Sequence, residues 1–376
     1  MSRSASVASG PYAPPAPSRE LTAVSADGAR LHVEVHGPDD APPVVLSHGW
    51  TCSTAFWAAQ IRDLAADHRV IAYDQRGHGR SPASPACTTE ALADDLEAVL
   101  GDTLAPGEKA LIVGHSMGGM TVMAAASRPR FREHAAAVLL CSTGSSRLVA
   151  QSRVVPLRAG RVRTWITGRI LGSRAPLGPV TPVAQRILKY ATMGAGSEPH
   201  MVEACARIVH ACPRAVRHAW AAVLAALDLD HGVRELDIPT AVVHGASDRL
   251  TPPVHAHALV AALPQCIGLT ELPGVGHMTP IEAPGPVTGR IRELVTTYVT
   301  TDVATDVATD TTAEAAGAVP EVTGAVPEAT HITLEVTGTV PEAAGITAEV
   351  TGTTAEVTAT TADIAGVASA RIKEGA

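Results

Sequence analysis

Ser116, Asp248 and His277 are the residues whose types and surroundings suit joint chemistry, and that chemistry is acyl transfer through a serine hydroxyl. Ser116 sits in Gly114-His115-Ser116-Met117-Gly118-Gly119, between the apolar run Ala110–Val113 and the helical run Met117–Ala126. Small residues on either side allow a sharp strand-to-helix turn that lifts the hydroxyl into an exposed, strained position. The N-terminus of the following helix favours negative charge developing there. A serine hydroxyl is a weak nucleophile until an imidazole accepts its proton. A buried carboxylate holds that imidazole in the right tautomer and stabilises the imidazolium. Asp248 closes His244-Gly245-Ala246-Ser247-Asp248, and His277 closes Gly274-Val275-Gly276-His277, each just beyond an apolar run. Structural roles compete for both: Asp248 could cap a helix over Thr251–Ala262, and His277 could be a loop histidine. Asp228 and Asp230 are rival acids, but they do not follow a strand.

Residues so far apart need a scaffold that gathers loops. Leu31–His36, Val44–Ser47, Arg69–Tyr73, Ala110–Val113, Ala137–Cys141, Ile238–Val243 and Leu269–Leu272 read as strands. Thr54–Ala66, Thr89–Leu100 and Ile281–Val299 have helical spacing. Continuously apolar strands suit a mainly parallel sheet buried on both faces, and the alternation predicts an α/β three-layer domain. Between Ser145 and His231 only helical segments are legible, such as Pro182–Tyr190, Met201–Ala211 and Ala215–Leu227. Residues 145–231 are therefore expected to form a helical cap, inserted between core segments 20–144 and 232–300.

With these motifs in place, the chain resembles a capped member of the α/β-hydrolase superfamily across roughly residues 20–300, and the order Ser116, Asp248, His277 is the one that fold uses. Ser47-His48-Gly49-Trp50 is similar to the family's oxyanion loop, and Asp74-Gln75-Arg76-Gly77-His78-Gly79-Arg80-Ser81 to its structural strand-end turn. The resemblance implies a catalytic triad of Ser116, Asp248 and His277, with oxyanion donors from the amides of Trp50 and Met117. His48, Gly49, Gly114, His115 and Gly118 would shape the site, His48 by orienting the oxyanion loop. Relatives that open epoxides or carbon–halogen bonds carry Asp at the elbow, whereas Ser116 stands here; Met117 replaces the Trp typical of proline iminopeptidases. The implied activity is that of a serine esterase or lipase-like hydrolase working through an acyl-enzyme. Cofactor-free haloperoxidase/perhydrolase or C–C-bond hydrolase chemistry is the alternative, and a receptor that keeps the fold without turnover is a further one.

Neither a cofactor nor a metal is expected. His255 and His257 lack partners at ligand spacing and read as surface helix, while His200, His210 and His218 fall in the cap. Few aromatics in the cap predict an aliphatic pocket, with Trp165, Trp220 and Tyr190 as candidate lining residues, and a small ester with an aliphatic acyl group as substrate. Cys52 lies close enough to Trp50 for thiol reagents to block the site if it is exposed; the six cysteines otherwise read as reduced and mostly buried.

The whole chain of 376 residues has a net charge of −8. Residues 301–376 hold twelve acidic and two basic residues, so the remainder is slightly positive, and between Gly144 and Gly232 twelve basic residues face four acidic ones. Only ten aromatic residues and an acidic total argue against nucleic-acid binding. The tail repeats Glu-Val-Thr-Gly from Glu321, Glu335 and Glu349, lacks aromatic residues, and is expected to be disordered, with a partner that the sequence does not name. Residues 1–19 are likewise expected to be disordered. Without a secretory signal core or a run of 18 apolar residues, a cytoplasmic protein with no membrane span is expected.

Overall fold

The computed structural model describes residues 12–300 and, beyond them, only the strand segments 334–335, 349–351, 354–356 and 371–372. It falls into two units, Met1–Glu314 and Ala315–Ala376. In the second, Glu349–Thr351 pairs antiparallel with Thr354–Glu356, and Leu334–Glu335 with Arg371–Ile372. The expected disorder over 301–376 otherwise lies outside the described residues, as does that over 1–11.

Eight strands of the first unit form one sheet: β1 (Arg19–Val24), β2 (Arg30–His36), β3 (Pro43–Ser47), β4 (Arg69–Tyr73), β5 (Ala110–His115), β6 (Ala135–Cys141), β7 (Thr240–Gly245) and β8 (Cys266–Leu272). Their order is β1-β2-β4-β3-β5-β6-β7-β8. From β4 to β8 all neighbours are parallel, and β2 joins β4 antiparallel. β1 escapes sequence reading because its alternation is half polar; pairing with β2, from Arg19 opposite Val35 to Val24 opposite Arg30, holds it in place. The described part of the N-terminal segment is also tied down. Both the amide and the hydroxyl of Ser18 donate to the Val35 carbonyl, and Tyr12 stacks on His200. Distant partners order this stretch, and its composition gives no sign of them.

Alternate strand residues feed two cores, as a sheet covered on both faces requires. Val45, Ile71, Ile112, Val138 and Val242 pack on one side, with Leu92, Leu96 and Val99 of α2 (Thr89–Thr103) and Met120 of α3 (Met117–Ala125). Val44, Val70, Leu111, Leu139 and Val243 pack on the other, where α1 (Ala58–Leu64) contributes Ile61 and Leu64. A short α4 (Pro129–His134) precedes β6. The cap is helical: α5 (Leu148–Gln151), α6 (Arg161–Leu171), α7 (Pro182–Thr192), α8 (Pro199–Ala211) and α9 (Arg214–Ala225). After α10 (Asp230–Glu235) and β7 come α11 (Val254–Ala262), β8, α12 (Thr279–Glu282) and α13 (Pro284–Leu294). The single helix expected over Ile281–Val299 breaks at Ala283 (φ −136°, ψ 60°), because the following Pro284 disfavours helical backbone before it.

Candidate active site

Ser116 is the residue between β5 and α3, at φ 52° and ψ −115°, a left-handed-side conformation that non-glycine residues rarely adopt. Its amide donates to the Cys141 carbonyl at 3.0 Å, and its carbonyl accepts from Thr143 Oγ1 at 2.7 Å, so the strained turn is pinned from β6 and the loop beyond. The flanking glycines are steric requirements. A Cβ on Gly114 would come 2.5 Å from the Gly118 carbonyl oxygen, and one on Gly118 would come 2.1 Å from that of Ser47.

His277 and Asp248 arrive from the C-terminal ends of β8 and β7, beside the elbow at the end of β5. His277 Nε2 lies 3.0 Å from Ser116 Oγ, and its Nδ1 lies 2.8 Å from Asp248 Oδ2. This arrangement suits Nδ1–H donating to the carboxylate while Nε2 accepts from the hydroxyl. Asp248 accepts backbone N–H bonds from Leu250 and Thr251, at 2.8 and 2.9 Å. Burial alone would raise its pKa, but the charge and hydrogen bond of His277, with the His244 ring and the Thr251 hydroxyl, outweigh burial and hold it below the usual carboxylate value.

Thr251 is a contributor that sequence reading assigned only to a helix start. Its hydroxyl donates to Asp248 Oδ2 at 2.8 Å and lies 3.0 Å from His277 Nδ1. The available signal was its place three residues after the acid. Asp228 and Asp230 lie elsewhere: Asp230 accepts from Ser145 Oγ, and Asp228 sits at an isolated bridge to Ser146.

The loop after β3 passes over the elbow. A Cβ on Gly49 would come 3.1 Å from Ser116 Cβ and 2.7 Å from His115 Nδ1. His48 holds this loop: Nδ1–H donates to the Gly49 carbonyl at 2.8 Å, and Nε2 accepts the Gln75 amide at 3.0 Å. Burial, reinforced by neighbouring His78, brings its pKa down to about 3, so the ring is neutral. Met117 opens α3, so its N–H has no partner one turn earlier within the helix. Trp50 borders the cavity over Ser116. His115 is more than a spacer in the elbow: its Nε2–H donates to the His277 carbonyl at 2.9 Å, and its ring sits 4.4 Å from Phe56. Burial pushes its pKa well down, which keeps it uncharged beside the imidazole of His277.

Ser116 and His277 open into a cavity of about 510 Å³ between core and cap, walled largely by Val154, Ile170, Leu171, Leu177, Leu188 and Val209. Trp50 is the aromatic residue on that wall besides the histidines. The expected aromatic lining is corrected on all three counts. Trp165 is exposed, Trp220 is buried with Nε1 donating to the Arg76 carbonyl, and Tyr190 stands outside under Arg249. Helix phase, invisible without the cap's packing, turns them away. Cys52 lines the cavity but is 3% exposed, and burial pushes its thiol well up, so it is no ready thiolate. His255 is also corrected: it faces inward, with burial lowering its pKa to about 4, whereas His257 is exposed near Glu271. For a metal, Glu20, His32 and Glu34 bring ligand-type atoms within 4.8 Å among the described residues, but at the antiparallel sheet edge, where Arg80 already pairs with Glu20.

Known proteins resemble this chain in sequence and fold. The family described as alpha/beta hydrolase fold matches residues 42–171. RutD of Variovorax paradoxus (strain S110), named as a carbamate hydrolase, is 32% identical over 252 residues, covering 66% of this chain and 89% of its own. A non-heme chloroperoxidase of Streptomyces lividans is 26% identical over 278 residues, covering 68% of this chain and 92% of its own. Among solved structures, a thermophilic esterase from Thermogutta terrifontis superposes with a TM-score of 0.59 at 26% identity, over 74% of this chain and 99% of that one.

Proposed function

The chain belongs to the α/β-hydrolase family, and from that premise we propose that it is a serine hydrolase cleaving carboxylic esters through an acyl-enzyme. One observation carries the reading: Ser116 Oγ stands 3.0 Å from His277 Nε2, with Asp248 2.8 Å behind the ring. Ser116 Oγ attacks the ester carbonyl as its proton passes to His277 Nε2. The resulting oxyanion is met by the amides of Trp50 and Met117, which are worth on the order of 10²–10³ in rate per donor. His277 then protonates the leaving alkoxide, the C–O bond breaks, and acyl-Ser116 remains. Water repeats the sequence: His277 takes its proton, the hydroxide adds to the acyl carbon, and the carboxylic acid leaves as Ser116 Oγ is reprotonated. Asp248 keeps Nδ1–H in place throughout and offsets the imidazolium charge.

The aliphatic walls support an apolar acyl group in the cavity. Wild type is expected to hydrolyse short- and medium-chain aryl esters, and Ser116→Ala to lose at least about 10³-fold in kcat. Equal turnover by both proteins would sink the proposal. The likeness to a chloroperoxidase over two-thirds of the chain favours one second reading, in which hydrogen peroxide replaces water as acyl acceptor. Peracid formation from acetate and peroxide, compared with ester hydrolysis in the same preparation, separates the two.

A further inference from the structure

Nine of the eleven large apolar side chains exposed among the described residues fall between 157 and 190, on the outer part of the cap. On α6, Val162 and Trp165 lie three residues apart and are each 67% exposed. On α7, Val183 and Ile187 are each 65% exposed and form an i, i+4, i+7 stripe with Tyr190. The same stretch carries six arginines and one lysine and no Asp or Glu. The arginine–carboxylate pair of the cap among the described residues, Arg207 with Glu203, lies outside it on α8. A concentration of exposed apolar surface of this kind marks a site of interaction. Its chemistry, aliphatic and indole groups interleaved with uncompensated cations, is that of a segment lying in a membrane interface.

We propose that the outer face of α6 and α7 docks on the surface of an anionic lipid bilayer. Trp165, Val162, Val183 and Ile187 would enter the headgroup boundary, while the exposed Arg161 and Arg186 meet lipid phosphates. A second copy of the chain is a poor occupant, because two such faces would bring Arg161 and Arg186 against the same arginines of the other copy, with no carboxylate in the stretch to pair them. Mobile headgroups, by contrast, can rearrange around each cation. Both helices also border the cavity over Ser116, through Arg169 and Ile170 on one side and Leu188 and Ala191 on the other. Docking therefore brings that cavity to the lipid surface, although binding itself is independent of the reaction assigned to Ser116.

The test is sedimentation of the full chain with phosphatidylcholine vesicles, with and without phosphatidylglycerol, using both wild type and Ser116→Ala. Binding is expected only where phosphatidylglycerol is present, weakening with salt, with Trp165 emission shifting to the blue and quenched by brominated acyl chains. Each of Arg161→Gln and Arg186→Gln should cost about fivefold in partitioning. Trp165→Ser/Ile187→Ser should lose binding with an unchanged thermal melt, since both residues are exposed. Four results would overturn the proposal: no sedimentation with either vesicle; equal sedimentation with both; full binding by Trp165→Ser/Ile187→Ser; or a wild-type dimer in light scattering that these two substitutions dissociate. Association with an acidic protein while vesicles stay unbound would also overturn it, and would identify the other class of partner.

Discussion

At the scale of single residues, the site depends on hydrogen bonds that keep a charged carboxylate and a neutral ring in register. Thr251 shows this: one hydroxyl serves Asp248 Oδ2 at 2.8 Å and sits 3.0 Å from His277 Nδ1. Thr251→Val keeps the shape, removes the donor, and leaves Asp248 with one fewer bond to its charged form. We expect kcat to fall about 10- to 100-fold through loss of alignment, with KM nearly unchanged. Steady-state kinetics on an aryl ester check this, and Thr251→Ser should restore most of the rate. A loss confined to KM would place the residue in substrate binding instead.

At the scale of elements, polar links join the cap to the core at several points, such as Trp220 Nε1 to the Arg76 carbonyl and the Gly194 amide to Glu282, and Arg217 of α9 ties the cap's own joint to one of them. It is 7% exposed, its guanidinium donates to the Ser173 and Ala175 carbonyls after α6, and its own carbonyl accepts from Trp50 Nε1 at 3.1 Å. The side chain thus couples α9 to the joint beyond α6, and the backbone of the same residue meets the loop over the elbow. Arg217→Met preserves much of the packing but leaves two carbonyls without their donor, at about 1–3 kcal/mol. Faster limited proteolysis between residues 172 and 181 and a lower melting temperature are expected. A variant with wild-type cleavage rates would show that the joint beyond α6 is held without the Arg217 guanidinium.

At the scale of the whole molecule, buried neutral histidines set the response to acid. Burial lowers His48 to about 3, and His78 and His255 to about 4, from an ordinary value of 6.5. In that window the unfolded chain binds protons that the folded chain refuses, so stability is present above pH 6.5 and is lost as pH falls. Asp74, raised by burial to about 6, acts in the opposite sense, because between that pH and its ordinary value of 3.8 only the folded state holds its proton. Below about 4.5 Glu34 joins the loss: burial is outweighed by His32 and His36, which bring it down to about 2. Urea unfolding should lose on the order of 3 kcal/mol between about pH 7.5 and about pH 5.5. An unchanged free energy over that interval would show that these rings are not held neutral.

The strand–turn–helix elbow was legible in the sequence where it depends on local backbone. Within the elbow around Ser116, Gly114 must be small because it abuts the Gly118 carbonyl four residues on, whereas Gly118 must be small because Ser47 of β3 crosses it. The strands were legible because residues such as Val70–Tyr73 are buried on both faces and are apolar without interruption. What depends on distant contacts was not. β1 exists through its pairing with β2, Thr251 joins the site through a hydrogen bond to a histidine 26 residues away, and His255 turns inward by helix phase. The cap illustrates the division most clearly. Its helices and positive charge follow from periodicity and composition, whereas packing decides that Trp220 is buried and Trp165 faces outward. Periodicity fixes only relative positions around a helix, and the side that faces the core is chosen by the surfaces it meets.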